Sequence, residues 1–542
     1  MRVCAPRSGR ASLFIIAAAV AAAYANSFRG AFVFDDLQSI VDNTSIRHLS
    51  TAWAPPGDGT TVTGRPLLNL TFALNYVLTG PGVAGFHAGN LLIHAAAALT
   101  LFGLLRRTPG GEPLALVATI LWAVHPLQTE SVTYLAQRAE SLMGLFYLFT
   151  LYAWARGWRA VSVLACFLGM ATKEVMVTAP VMVGLYDWVF CRDRPNTGRS
   201  KRSAAFWYGA LGLSWGLLAG LVAGTGGNRN GSIGFGIAVP WWKYALTEFH
   251  VIVRYLRLSV FPSPLVFYYN AEWARNAWDV IPGLAVVLIL IAVTARGIAR
   301  RQPLGFLGAW FLLILAPTSS IVPGATQTCA EHRMYLPLAA IAVAAAWAGS
   351  RVRWRLNPVW MLLPVLVWLT ALRNQTYASE LTLWRDTVDK SPNNELALHN
   401  LGNALLKSGE PEAATARYRE ALALRPDDAK AHHNLGYVLL QGNRVPEAVR
   451  EFQAALRINP DLPEARLNLG TAFLMAEQPQ LALPEMTRAL ALTPADPKVH
   501  YNLALVLFAL GRDREGVEHL QDAVRLDPGY RPAREALERV RR

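Results

Sequence analysis

Charge is scarce in this chain. Only 16% of its 542 residues are charged, against roughly 25% in an average soluble domain, which excludes one ordinary soluble globular domain. Cysteine is scarcer: Cys4, Cys166, Cys191 and Cys329 lie far apart and form no CxxC pair, so no structural disulfide is expected. Phosphate-binding glycine motifs are missing too. There is no GxxxxGK[ST], and no GxGxxG in a βαβ context, so a nucleotide-binding fold is not indicated. Acidic residues are outnumbered, 37 against 51 Lys and Arg, for a net charge of +14. Many of those cations stand in short loops between apolar blocks, where they read as topology signals and not as a nucleic-acid footprint. No nucleic-acid partner is expected.

What the chain has in excess is apolar residues, 53% of the total. They lie almost entirely before residue 373, in runs of about 14–20 separated by short polar stretches, the hydropathy of a multi-span membrane protein. Arg2, Arg7 and Arg10 precede a first apolar run over 11–25. Ala23-Tyr24-Ala25 resembles a signal-peptide cleavage site, but with so many spans following, the run is read as a retained first span. Further spans are expected at 88–105, 114–127, 139–155, 159–172, 175–190, 206–224, 278–295, 304–318, 335–349 and 357–372, eleven with the first. The alternation places Arg106-Arg107, Arg156 with Arg159, Arg192 to Arg202, Arg296 with Arg300-Arg301, and Arg351 to Arg355 inside, as the positive-inside rule requires. Residues 225–275 then form an outside segment with interfacial or re-entrant helices, anchored by Trp241-Trp242. The N-terminus lies inside; the C-terminus lies outside, with the long first loop 26–87.

Beyond residue 373 the chain reads as a soluble helical domain. Pro392, Pro426, Pro460, Pro494 and Pro528 are separated by 34 residues each time, the tetratricopeptide period. Asn400-Leu401-Gly402, Asn434-Leu435-Gly436, Asn468-Leu469-Gly470 and Asn502-Leu503-Ala504 recur in step, as do Ala414, Ala448, Ala482 and Gly516. The expected organisation is a membrane domain over 1–373, a linker and leading helix over 374–394, and an α-solenoid over 395–542. Its four repeats are 395–428, 429–462, 463–496 and 497–530, followed by a capping helix. The class is all-α throughout. His432, His433 and Arg466 lie on first helices and are candidates for a groove that presents an acceptor polypeptide, or are simply a solvated face.

Ionisable groups in or beside a bilayer are costly and need a reason. Asp35-Asp36, soon after the first span, supplies adjacent carboxylates suited to general-base work or metal binding, or one helix cap. His125, Glu130, Arg138 and Glu140 fall on the same outside face, as do Lys173-Glu174 and Glu331-His332-Arg333. Arg138, Lys173 and Arg333 suit a phosphate, with His125, Glu130, Glu140, Glu174 and Glu331 in support. Structural ion pairs between loops are the plainer reading. If the site is one, Asp35 and at least two of the three cations line a single cavity.

These residues occur in longer blocks. Gly64-Arg65-Pro66-Leu67 with Asn69-Leu70-Thr71-Phe72 and Leu74-Asn75-Tyr76, Phe86-His87, Asn90 to His94, His125-Pro126 with Thr129-Glu130, Arg138-Ala139-Glu140, Thr172-Lys173-Glu174, and Ala330 to Pro337 follow in order. In sequence and arrangement the chain resembles the transmembrane and tetratricopeptide-repeat O-mannosyltransferases, and the composition, rich in Ala, Arg and Gly, suggests a bacterial member. The resemblance implies a GT-C glycosyltransferase fold and transfer of a sugar, typically mannose, from a polyprenyl-phosphate carrier to protein Ser or Thr. It implies that the first-loop aspartate, Asp35 with Asp36 beside it, is the base. It implies a multi-pass protein of the bacterial inner membrane with its repeats in the periplasm, or of the endoplasmic reticulum with the repeats in the lumen. No cofactor is required by that chemistry; a divalent metal is compatible with it but unsupported. The alternatives are a non-enzymatic membrane-anchored scaffold and a lipid-linked glycan transporter.

Overall fold

The computed structural model describes residues 9–191, 201–226, 239–270, 272–320, 327–352 and 358–541. Among them there is no strand, and the chain divides into two compact units, 1–386 and 387–542.

In the first unit every apolar run expected to span is helical. The helices are α1 (Arg10–Tyr24), α2 (Pro66–Thr79), α3 (Val83–Leu105), α4 (Gly111–Ala123), α5 (Thr129–Thr133), α6 (Arg138–Arg156), α7 (Arg159–Met170), α8 (Ala179–Phe190), α9 (Lys201–Gly224), α10 (Trp241–Val260), α11 (Ala277–Ala299), α12 (Pro303–Leu315), α13 (Leu338–Ser350), α14 (Leu363–Asn374) and α15 (Glu380–Lys390). Four are long and apolar enough to cross a bilayer unaided: the run Arg10–Arg29, α3, the Arg202–Gly224 part of α9, and α11. Most of the others fall short of the roughly 20 residues that a straight span needs; α6 and α10 come close to or reach that length but carry charged residues along it. Several are interrupted where the polar motifs enter, as at His125, Lys173 and Glu331. The chain is thus a multi-pass membrane protein whose shorter helices give way to polar turns.

Local signals set the helix ends. Pro66 opens α2, where a missing N–H costs nothing, and Gly80 at φ 74° closes it. Asn276 and Asp279 form a reciprocal capping box on α11. The core is built where α1, α3, α4, α6 and α13 meet, around Tyr24, Trp122, Tyr147 and Tyr335. His94, on α3, is the polar pin of that core. Its Nε2–H donates to the carbonyl of Ala123 at 2.9 Å, so its Nδ1 accepts from the Tyr335 hydroxyl at 2.9 Å. Trp122 donates to the Tyr335 carbonyl at 2.6 Å. These bonds fix the Glu331–Pro337 block against α3 and α4.

The segment read as 225–275 is one amphipathic helix, α10, with flanking irregular chain; its part over 227–238 lies outside the described residues. α10 buries Tyr244, Glu248, Val251 and Tyr255 and leaves Trp241 and Trp242 half exposed. The segment 374–394 is helical for most of its length, as Gln375–Ala378 and α15. Among the described residues, Cys166, Cys191 and Cys329 form no disulfide.

In the second unit each period is a helix pair: Glu395–Lys407 with Pro411–Leu424, Ala429–Gln441 with Val445–Ile458, Pro463–Met475 with Pro479–Leu492, and Pro497–Ala509 with Asp513–Leu526, ended by Arg531–Arg541. Small residues let the pairs close. A Cβ on Gly402 would lie 2.6 Å from the Tyr418 ring, and on Gly436 2.8 Å from the Phe452 ring, whereas on Gly470 it would meet the flexible end of Met486. Gly402→Ala and Gly436→Ala are therefore expected to destabilise the repeats by about 1–3 kcal/mol each. Gly470→Ala is expected to cost less, because methionine repacks easily. Thermal melts of the three variants check the order; equal losses would refute it.

Candidate functional site

The chain enters the site through a strained bend. Phe34 has φ 50°, a left-handed conformation uncommon for a non-glycine residue and often found at functional sites. Its ring is held edge-on by Phe267, Tyr268 and Trp384 at 5.3–6.3 Å.

The two aspartates that follow do different work. Asp36 is fully buried. One carboxylate oxygen accepts from the Val33 amide at 3.0 Å, the other from the Ala136 amide at 2.6 Å. It ties the first loop to the turn before α6, and its acceptors are spent on backbone. Asp35 is only half buried. Its amide donates to the Tyr134 hydroxyl at 3.1 Å, and its carboxylate lies 3.5 Å from the Thr61 hydroxyl. Burial raises the Asp35 carboxyl above the ordinary aspartate range, opposed by hydrogen bonds from Tyr134 and Thr61. Of the pair, Asp35 is the carboxylate with capacity left for a proton.

The three expected phosphate-binding cations also separate. Arg138 opens α6 and is 1% exposed. Its guanidinium donates to Asn90 Oδ1 (2.6 Å), Thr71 O (3.1 Å), Asn75 Oδ1 (2.8 Å) and Phe86 O (3.0 Å), and lies 4.6 Å from the Phe72 ring centroid. It binds together α2, α3 and α6. Arg333 donates to the Tyr244 hydroxyl at 3.0 Å and to the carbonyls of Thr328 and Gln327, with Glu248 at 3.8 Å. Both are occupied by protein groups because the polar blocks they belong to pack on each other. Lys173 differs. Its ammonium holds Glu140 at 2.7 Å, and the residue also lines a narrow cleft with Gly64, Arg65, Met170, Glu174, Leu218, Leu221, Val222 and Thr225. Burial lowers the Lys173 pKa, partly offset by Glu140. The expectation that Asp35 shares one cavity with two of the three cations is therefore not met by this cleft, which holds Lys173 alone among them.

Arg65, not Arg138, stands beside Lys173 in this cleft. It lies in the quoted Gly64-Arg65-Pro66 block, but nothing in its spacing marks it as a site residue. It reaches Glu174 at 3.2 Å and donates to Thr61 O at 2.9 Å, while its Nε–H is buried without a protein partner. Thr61 thus touches both Asp35 and Arg65, linking the first-loop aspartate to the cleft.

The supporting acids form a buried ionic layer. Glu130 accepts from the His332 amide at 2.8 Å and from its Nδ1–H at 2.7 Å. Burial first, then Lys173, holds the His332 pKa well below the ordinary range, so this is a neutral imidazole on a carboxylate. Glu331 accepts from the Val266 amide (2.6 Å) and the Tyr269 hydroxyl (2.9 Å), with Arg373 at 3.7 Å. Burial pushes both carboxyls up, and Arg373 opposes it. His125 caps the following turn, accepting from the Leu127 amide at 3.2 Å.

In the repeats, His432 bridges Glu451 (2.7 Å) and the Pro426 carbonyl (3.1 Å), and Arg466 bridges Glu485 (2.7 Å) and the Pro460 carbonyl (2.9 Å). His433 joins adjacent repeats by accepting from Asn468 at 2.9 Å. All three are engaged in contacts of the solenoid itself.

A tetratricopeptide-repeat family model matches residues 399–463 and 467–531. The mouse protein O-mannosyl-transferase TMTC4 is 26% identical over 482 residues, 73% of this chain and 64% of that protein. Protein O-mannosyl-transferase F38B6.6 of Caenorhabditis elegans is 26% identical over 74% of this chain and 61% of its own length. Human protein O-mannosyl-transferase TMTC3 is 30% identical over 194 residues, 32% of this chain and 21% of that protein. The chain spans less than two thirds of these relatives. Among solved structures, YrrB, a tetratricopeptide-repeat protein with an unusual peptide-binding site, is 19% identical, with 33% of this chain and 91% of that one covered, at a TM-score of 0.27.

Proposed function

We propose that this chain, whose relatives are protein O-mannosyl-transferases, is a membrane glycosyltransferase that moves a sugar, mannose first among candidates, from a polyprenyl-phosphate carrier to a Ser or Thr hydroxyl of a polypeptide. The reaction takes place on the extracytoplasmic side, which is the periplasmic face of a bacterial inner membrane if the chain is bacterial. The observation that carries the reading is the division of labour between Asp36, spent on backbone amides, and Asp35, whose carboxylate meets only the side-chain hydroxyls of Tyr134 and Thr61.

Asp35 takes the proton of the acceptor hydroxyl as its oxygen attacks the anomeric carbon. The bond from that carbon to the phosphate oxygen breaks, and polyprenyl phosphate leaves with the electron pair. A single displacement inverts the anomeric configuration. Arg65 and Lys173 hold the donor phosphate; the buried, unpartnered Nε–H of Arg65 supports an anion there. Leu218, Leu221 and Val222 of α9 give the same cleft an apolar wall, suited to the first isoprene units. Arg138 and Arg333 act as positioning groups. The repeats bind the acceptor polypeptide.

The experiment that tests it is transfer of label from polyprenyl-phosphate mannose to protein, in membranes containing the native chain. Label on protein with the native chain and none in membranes lacking it supports the assignment; no label from any lipid-linked sugar overturns it. The pH profile gives a second check. A base works only when unprotonated, and burial raises the Asp35 pKa. Activity should therefore fall on the acid side with a midpoint above the ordinary aspartate range of about 4. A profile flat to that pH would remove Asp35 as the base.

A further inference from the structure

The fourth repeat breaks a rule that the second and third keep. In the second, His432 on the first helix faces Glu451 on the second helix at 2.7 Å; in the third, Arg466 faces Glu485 at 2.7 Å. Each of these first-helix side chains also reaches the carbonyl of the proline six residues before it. At the same two positions the fourth repeat has His500 and His519. The carboxylate that should neutralise a cation is gone, and two imidazole nitrogens face each other, Nδ1 to Nδ1, at 3.1 Å.

The first imidazole is already oriented. His500 Nε2 lies 3.1 Å from the Pro494 carbonyl. A carbonyl can only accept, so Nε2 carries the proton and Nδ1 presents a bare lone pair. A ring whose far N–H is fixed on a backbone carbonyl is the arrangement that orients a metal-ligating histidine. One turn along the second helix from His519 stands Asp522. Its second oxygen lies 3.9 Å from His500 Nδ1, while its first is held by Arg525 at 2.6 Å. The equivalent positions in the second and third repeats are Ala454 and Arg488; the first repeat has Glu420 there, but with Leu398 and Arg417 in place of the two histidines, so only the fourth joins a carboxylate to a histidine pair. The three ligand atoms lie within 4.8 Å of one another. Ligands at about 2.0–2.2 Å from a tetrahedral zinc stand about 3.3–3.5 Å apart, so small side-chain rotations suffice.

We propose that His500, His519 and Asp522 form a binding site for a borderline divalent transition metal, of which Zn²⁺ is the representative, with the remaining coordination positions open to water or to a side chain of a bound polypeptide. Two imidazoles and a carboxylate favour such metals over Ca²⁺ and Mg²⁺, which prefer oxygen alone. On binding, His519 changes tautomer: the proton that its Nδ1 shares with His500 is lost and one is taken up on Nε2, so that both Nδ1 lone pairs face the metal with no net change in protonation. The site needs nothing from the membrane unit and does not depend on the glycosyltransferase reading.

The test is zinc titration of the full, untagged chain in detergent, in competition with a chromogenic chelator. The control is His500→Arg with His519→Glu, which writes the third repeat's Arg466–Glu485 pair into the fourth and so keeps a pairing that the fold already uses. The expected result is one fewer Zn²⁺ per chain in this variant. Asp522→Asn should retain the site but weaken it about tenfold or more, since even an outer-sphere partner contributes about 10–100-fold. A zinc-dependent rise in the melting temperature of the native chain should vanish in the double variant, whose metal-free melt reports that it is folded. The same zinc stoichiometry and affinity in a folded double variant and the native chain would overturn the proposal.

Discussion

Asp35→Asn is expected to lower sugar transfer by about 10²–10⁴-fold, the usual contribution of a general base, with the protein still folded. The amide keeps the size of the carboxylate and can still accept from Thr61, so the first loop has no reason to move. What is lost is the basic oxygen pair. Asp36→Asn should behave in the opposite way. Both oxygens of Asp36 accept backbone amides inside the protein, and an amide nitrogen turned toward either one sets donor against donor. A buried donor left unpaired costs about 1–3 kcal/mol. The expected result is less folded protein in membranes, with near-native specific activity in what remains. Transfer assays normalised to folded protein separate the two. If Asp36→Asn abolishes turnover in folded protein and Asp35→Asn does not, the roles are exchanged.

The repeats were legible because their information is periodic. A proline every 34 residues, and small residues in step with it, fix helix ends and helix contacts within each period, and the structure has a helix pair in each. The apolar runs were legible for a similar reason: each is a helix. Their lengths were not, because a hydropathy pattern does not show where a polar turn shortens a helix from within, as at Lys173 and Glu331. The candidate site was half legible. Charged residues beside apolar runs marked blocks that the structure packs against one another, but the sequence does not say which charge is consumed by the fold. Asp35 and Asp36 are neighbours with the same side chain, and only the amides of Val33 and Ala136 distinguish them. Arg65 escaped because its partner Glu174 and its cleft come from chain more than a hundred residues away. Arg138 looked free for a similar reason, since all four of its acceptors lie 48 to 67 residues before it.

That difference between Arg65 and Arg138 has a large measurable consequence. Arg138→Met removes a donor fork from Asn90, Asn75, Thr71 O and Phe86 O at once. The two asparagine amides can flip and find other partners, but the backbone carbonyls cannot, and each buried acceptor left unpaired costs about 1–3 kcal/mol. A clear fall in melting temperature is expected. Arg138→Lys should recover little of it, because a single ammonium cannot reach acceptors spread around a planar guanidinium. The folded fraction should keep its KM for the lipid donor. Arg65→Gln should do the reverse. Its losses in the fold are the contact to Glu174 and one carbonyl, so the melting temperature should shift little. If the cleft holds the donor phosphate, the lost charge-assisted bond of about 1.5–3 kcal/mol raises KM for the donor by about 10–100-fold. The paired measurement of melting temperature and donor KM decides which arginine serves the fold and which serves the substrate. A donor KM that rises in folded Arg138→Met and stays constant in Arg65→Gln would return the phosphate to Arg138 and refute the assignment of the cleft.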